Sequence, residues 1–125
     1  MVSILYTKVF IKNAKRLSKK YRSFLQDLES FCKALSVNPD MGTSLGNGVR
    51  KIRMAVKSKG KGKSGGVRVI TFNVIVNTTD TKIRLLTVYD KSEKEAISDK
   101  EIRILLDDIS NTVDNLQVDK QQSGD

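Results

Sequence analysis

The apolar positions of the chain change period twice, and those changes divide it into three regions. In residues 1–40 the spacing is helical: Phe10, Ala14, Leu17 and Tyr21 recur three or four apart, and Phe24, Leu25, Leu28, Phe31, Cys32 and Leu35 form a second stripe. Asn38-Pro39 ends that stripe, because a residue before proline is pushed out of the α region. The pattern predicts two antiparallel helices joined near residues 18–22, or one bent helix, with a short strand at residues 3–6 ahead of them. After the turn-rich DMGTSLGNG the period becomes 2. In VRKIRMAV, Ile52, Met54 and Val56 point one way while Lys51 and Arg53 point the other. In VRVITFNVIV, Ile70, Phe72, Val74 and Val76 share a face with Arg68, and KIRLLTVY supplies a further strand after the turn Asn77-Thr78-Thr79-Asp80.

The third region is helical again. Ser98-Asp99-Lys100-Glu101 has the spacing of a capping box, and Ile102, Leu105, Leu106, Ile109, Val113 and Leu116 follow as an apolar stripe. The closing VDKQQSGD has no periodicity and reads as a polar, disordered tail. The expected fold is therefore α+β, with two N-terminal helices on a three- to four-stranded antiparallel sheet and a C-terminal helix. Residues 1–117 form one domain and residues 118–125 the tail. A chain of 125 residues can bury enough surface for a single core without disulfides or a structural metal.

One stretch invites a different reading. Lys57-Ser58-Lys59-Gly60-Lys61-Gly62-Lys63-Ser64-Gly65-Gly66 contains the Gly-Lys-Ser that closes many phosphate-binding loops. Such a loop needs a glycine five positions earlier and a helix behind it. Here that position is Lys57, and a strand follows, so the stretch reads as the basic tip of a hairpin.

Charge sharpens the picture. The net charge is +9, and residues 1–40 and 80–125 nearly cancel at +5 and −4. Between residues 41 and 79 lie eight cations (Arg50, Lys51, Arg53, Lys57, Lys59, Lys61, Lys63 and Arg68) and no acid. Such a block repels itself unless a polyanion or an acidic partner neutralises it, although a solvated loop would carry the same composition. The acids and lysines of residues 90–95 read as charge pairing at the entrance of the last helix. The chain has no histidine and one cysteine, Cys32, which excludes Cys/His metal centres and an internal disulfide and suits a reducing, cytoplasmic setting with Cys32 in the core. No stretch predicts a membrane span or a secretory signal.

A surface whose reactive groups are Lys, Arg and Tyr suits a phosphodiester. Cations stabilise the extra charge of a pentavalent transition state, and a lysine among cations can lose its proton more readily and act as a base. Arginine stays protonated. Lys51 is therefore the candidate base, Arg53 and Arg68 the charge stabilisers, and Tyr89 a ring that can stack on a nucleobase, while the loop lysines grip the phosphate backbone. Attack by a ribose 2′-hydroxyl would need no metal. Alternating cations also mark a solvated strand face, and from the residues alone binding without catalysis stays open.

Three stretches, in this order, carry a resemblance: Val49-Arg50-Lys51-Ile52-Arg53-Met54-Ala55, Lys59-Gly60-Lys61-Gly62-Lys63-Ser64-Gly65-Gly66-Val67-Arg68-Val69-Ile70, and Leu85-Leu86-Thr87-Val88-Tyr89-Asp90-Lys91-Ser92-Glu93-Lys94-Glu95. Together they resemble the RelE/ParE superfamily of bacterial toxins, in its RelE- or HigB-like branch. The resemblance implies a ribosome-dependent, metal-independent mRNA endonuclease acting in the A site, with no cofactor, and with a cognate antitoxin, the ribosome (rRNA) and mRNA as partners. It places the active-site cations on Lys51, Arg53 and Arg68 and a C-terminal functional region on Tyr89, Lys91 and Lys94, with RNA or ribosome contacts from Arg50, Lys57, Lys59, Lys61 and Lys63. Some relatives have lysine at both strand positions, so Arg53 is a departure that leaves proton transfer to Lys51. A ParE-like gyrase inhibitor and an inactive RNA- or antitoxin-binding homologue are the competing readings.

Overall fold

The computed structural model describes residues 1–60 and 65–109. The fold is α+β, as expected, but the sheet is larger than expected and mixed. Five strands run in the order β1-β5-β4-β3-β2: β1 (Val2–Tyr6), β2 (Thr43–Gly46), β3 (Val49–Met54), β4 (Val67–Ile75) and β5 (Thr81–Asp90). The pairs β2/β3, β3/β4 and β4/β5 are antiparallel, and β1 pairs in parallel with the first half of β5.

Two separate helices, α1 (Lys8–Lys20) and α2 (Phe24–Val37), follow β1. Thr7 explains the tight strand-to-helix corner. Its side chain accepts the Phe10 N–H at 3.1 Å, capping α1, and its hydroxyl points at the carbonyls of Leu85 (2.9 Å) and Leu86 (3.1 Å) on β5. One residue thus ends β1, starts α1 and ties both to the central strand. Asn38 closes α2 through its N–H to Ala34 O, just before Pro39.

Both helices bury their stripes on one face of the sheet. Phe10, Leu17, Phe24, Phe31 and Leu35 meet Ile52, Met54, Val67, Val69, Ile83, Leu85 and Val88, with Cys32 half-buried at the margin. Each such side chain contributes roughly 1.5–3 kcal/mol on burial, so this layer is the main stabilising term of the sheet and helices. β5 carries an extra residue at Leu86, where the register with β4 shifts between Ile70 and Thr71.

The short strand β2 was not expected. It lies in DMGTSLGNG, is exposed at every position, and so has no apolar alternation to betray it. Its register comes from the turn instead: Asn47 (φ 54°) and Gly48 (φ 83°) both sit in the left-handed region between Gly46 and Val49, as a two-residue hairpin requires.

The chain divides after Glu95, and Ala96 begins a second unit. That unit starts with the expected capping box: the Glu101 N–H donates to Ser98 Oγ at 3.1 Å and the Ser98 N–H to Glu101 Oε1 at 3.3 Å. Residues 99–109 are helical. Val113, Leu116 and the predicted tail 118–125 lie outside the described residues.

Candidate functional site

The face of the sheet turned away from α1 and α2 carries the candidate residues. Alternation along β3 sends Ile52 and Met54 into the core and Lys51 and Arg53 to the other side. Registered partners share a face, so the pairs Lys51↔Ile70, Arg53↔Arg68 and Arg68↔Tyr89 set Arg53, Arg68 and Tyr89 in a row across three strands, with Lys51 one step along β3. Four of the five candidate catalytic residues are thereby brought together. The fifth, Lys91, follows directly after β5 and is exposed.

The electrostatics of the row are unusual for a sheet. Two arginines stand directly opposite one another, an arrangement that destabilises a ladder unless something anionic relieves it. Arg53 is exposed, but Arg68 is only 5 % exposed. Burial, and after it the charge of Arg53, pulls the Arg68 guanidinium below its ordinary value; it remains a cation at any physiological pH. Its Nη1 donates to its neighbour's carbonyl, Val67 O, at 3.4 Å. Tyr89 is 6 % exposed, and its hydroxyl has no hydrogen-bond partner among the described residues. Burial pushes the phenol up, and Arg68 offsets this in part, so the hydroxyl keeps its proton at neutral pH. Lys94 Nζ lies 5.7 Å from the Tyr89 ring centroid, a cation–π contact that brings the expected C-terminal pair together.

The remaining cations are placed differently. Arg50 points to the other face of β3, where Nε donates to Met41 O at 2.9 Å and Nη2 to Gly42 O at 3.0 Å, which fixes the approach to β2. Lys57 is exposed, whereas Lys61 and Lys63 lie outside the described residues. Lys59 corrects the expectation of a basic block without a counter-charge. Its side chain is 9 % exposed and its Nζ meets the fully buried Asp90 Oδ1 at 2.6 Å. The anion comes from the far end of β5, beyond the block itself.

Asp90 is the centre of a cluster that sequence reasoning missed. Besides Lys59 it accepts from Tyr21 Oη, from Ser92 N (3.0 Å) and Ser92 Oγ (2.8 Å), and it pairs with Lys20 at 3.5 Å. Burial alone would raise this carboxyl, but the bonds from Lys59, Tyr21 and Ser92 outweigh it and hold Asp90 well below the usual carboxylate range. Glu93 pairs with Arg16 at 3.0 Å and Lys20 at 3.2 Å. The acids at residues 90 and 93 therefore hold the C-terminal half of α1, which replaces the expected role at the last helix's entrance. Asp27 does similar work on the other side: it accepts from Ser23 Oγ (2.7 Å) and the Lys57 N–H (2.9 Å), fixing the 3-10 turn Lys57–Lys59 where the basic stretch leaves β3.

A further buried cation escaped notice. Arg84 is 8 % exposed and pairs with Phe72, which places it on the same face as Arg68, and its Nε has no partner among the described residues. Its position inside the apolar run KIRLLTVY was the available signal.

No helix among the described residues is long and apolar enough to cross a membrane. The family model described as "RelE toxin of RelE / RelB toxin-antitoxin system" matches residues 3–123, nearly the whole chain. With the α+β fold, the cationic row on the sheet face turned away from α1 and α2 and that match, the chain belongs to the RelE toxin family of toxin–antitoxin systems.

Proposed function

We propose that this toxin is a ribosome-dependent, metal-independent mRNA endonuclease acting in the cytoplasm on message in the ribosomal A site. The observation that carries the reading is the registered row of Arg53, Arg68 and Tyr89 with Lys51 beside it, which gathers on one sheet face the groups that can bind a phosphodiester and stabilise its transition state.

In this reading Lys51 is the base that takes the proton from a ribose 2′-hydroxyl as that oxygen attacks the adjacent phosphorus. The bond from phosphorus to the 5′-oxygen breaks, and the products are a 2′,3′-cyclic phosphate and a 5′-hydroxyl. Arg68, held rigidly by burial, and the exposed Arg53 bear the added negative charge of the pentavalent state. Tyr89, protonated at neutral pH, is the donor for the departing 5′-oxygen. Lys57, Lys91 and Lys94 are the cations assigned to hold message or rRNA; Arg50 and Lys59 are assigned to the framework. The ribosome supplies the alignment for in-line attack, which can lower a barrier by several kcal/mol. The antitoxin of the pair would cover the cationic face.

The test is purified toxin added to ribosomes programmed with a defined mRNA, with product ends analysed. Cleavage to cyclic-phosphate ends is expected, falling about 10²–10³-fold in Arg68→Ala. Lys51→Ala is expected to lose cleavage while still binding the antitoxin. Intact message together with blocked DNA supercoiling would overturn the proposal in favour of gyrase inhibition. Unaltered cleavage in both variants would overturn the site.

A further inference from the structure

The outer face of α1 carries a feature that the cleavage reading does not use. Lys8, Lys12, Lys15 and Lys19 are all exposed, and α1 contains no acid. At 3.6 residues per turn these four fall within an arc of about 60° and span about 16 Å along the axis. Phe10, Ala14 and Leu17, the buried residues of α1, lie on the opposite side of the helix, so the lysine stripe points directly away from the sheet. Arg16 and Lys20, flanking it, are paired with Glu93 and Asp90. The four lysines have no ion-pair partner among the described residues. Like charges three and four apart weaken a helix, so local stability does not account for the stripe.

We infer that this stripe is a second RNA-binding surface, on the side of the molecule opposite the Arg53–Arg68–Tyr89 row, that takes the phosphate backbone of duplex RNA. Its chemistry selects among polyanions. Protein interfaces are depleted in lysine at their centres and depend on aromatic or aliphatic anchors, whereas nucleic-acid interfaces are polar and strongly positive. The stripe contains four ammonium groups and no aromatic side chain; Ile11, 42 % exposed, lies to one side of it. Single-stranded RNA is held by aromatic stacking, which the stripe cannot supply, while double-stranded RNA is recognised through its backbone. Four flexible point charges suit that backbone and read no sequence. Identifying the duplex as ribosomal RNA rests on the proposed function; the surface itself does not.

The test combines Lys8→Gln, Lys12→Gln, Lys15→Gln and Lys19→Gln in the full chain, with thermal unfolding as the control for folding. Binding to a blunt RNA hairpin duplex is measured across a salt series. Four lost phosphate contacts should flatten the slope of log K against log salt by about three. On programmed ribosomes the variant should need more toxin for half-maximal cleavage, with the saturating rate unchanged; Arg68→Ala should show the reverse. An unchanged slope, or a wild type that does not bind the duplex, overturns the inference even if cleavage proceeds. So does lost antitoxin affinity with duplex binding intact, which would assign the stripe to an acidic protein. A flattened slope with a wild type that leaves message uncut supports the surface and removes the nuclease reading.

Discussion

Tyr89 and Asp90 are neighbours with opposite consequences. Tyr89→Phe removes a buried oxygen that no described residue bonds, so stability should stay level or rise by up to about 1 kcal/mol, while ribosomal cleavage falls. Asp90→Ala strips the anion from a nearly buried Lys59 and should cost about 3–5 kcal/mol in urea unfolding, because the remaining charge is left without a partner. Replacing both, as Lys59→Met with Asp90→Leu, should recover most of that loss. Acidification acts through the same carboxylate. Its folded-state pKa is depressed, so its contribution is full above the unfolded value of ~3.9 and is lost progressively as pH falls from there toward the much lower folded value; chemical denaturation from pH 7 down to pH 3 should show the onset of this loss, and Asp90→Asn should lack it. The sequence pointed to Lys51, Arg53, Arg68 and Tyr89 because strand alternation is local. Asp90 was illegible because its partners, Lys59 and Tyr21, are 31 and 69 residues away and meet it only when the chain has folded.

Among the elements, those with a strong apolar period were readable, and those set by backbone chemistry were not. α1, α2 and β3 bury the stripes that the spacing announces, whereas β4 turns Val67 and Val69 to the helices in place of the expected Ile70, Phe72, Val74 and Val76 face, because its first half is buried on both sides and carries no alternation. β2 buries nothing, and its only announcement is the Asn47-Gly48 pair, a hairpin signal embedded in a run of turn residues. The parallel addition of β1 to β5 could not be read either, since it depends on Thr7 reaching the carbonyls of Leu85 and Leu86. Thr7→Val should cost about 1 kcal/mol through the lost cap, measured by thermal unfolding. Gly66, where the basic stretch rejoins the sheet, is a stricter position. A Cβ there would lie 2.1 Å from Met54 O, so Gly66→Ala must displace backbone at the β3–β4 stem and should destabilise by about 2 kcal/mol or more.

Across the Met1–Glu95 unit the excess positive charge is sorted by direction. Cations that point inward or along the edges, Arg16, Lys20, Arg50 and Lys59, are matched by carboxylates or carbonyls. Those on the outer side of α1, Lys8, Lys12, Lys15 and Lys19, have no ion-pair partner among the described residues. A linear charge count, which lumped Lys59 and Arg50 with Lys51, could not show this sorting.

The alternation of β5 has a genetic corollary. Codons 89 and 90 send one side chain to the cationic face and the next into the core, so a selection for bacteria that survive induction of the toxin should recover lesions at both. Survivors at codon 89 should still accumulate soluble protein that the antitoxin captures. Those at codon 90 should survive because the polypeptide is degraded, and a blot of the lysates would separate the two classes.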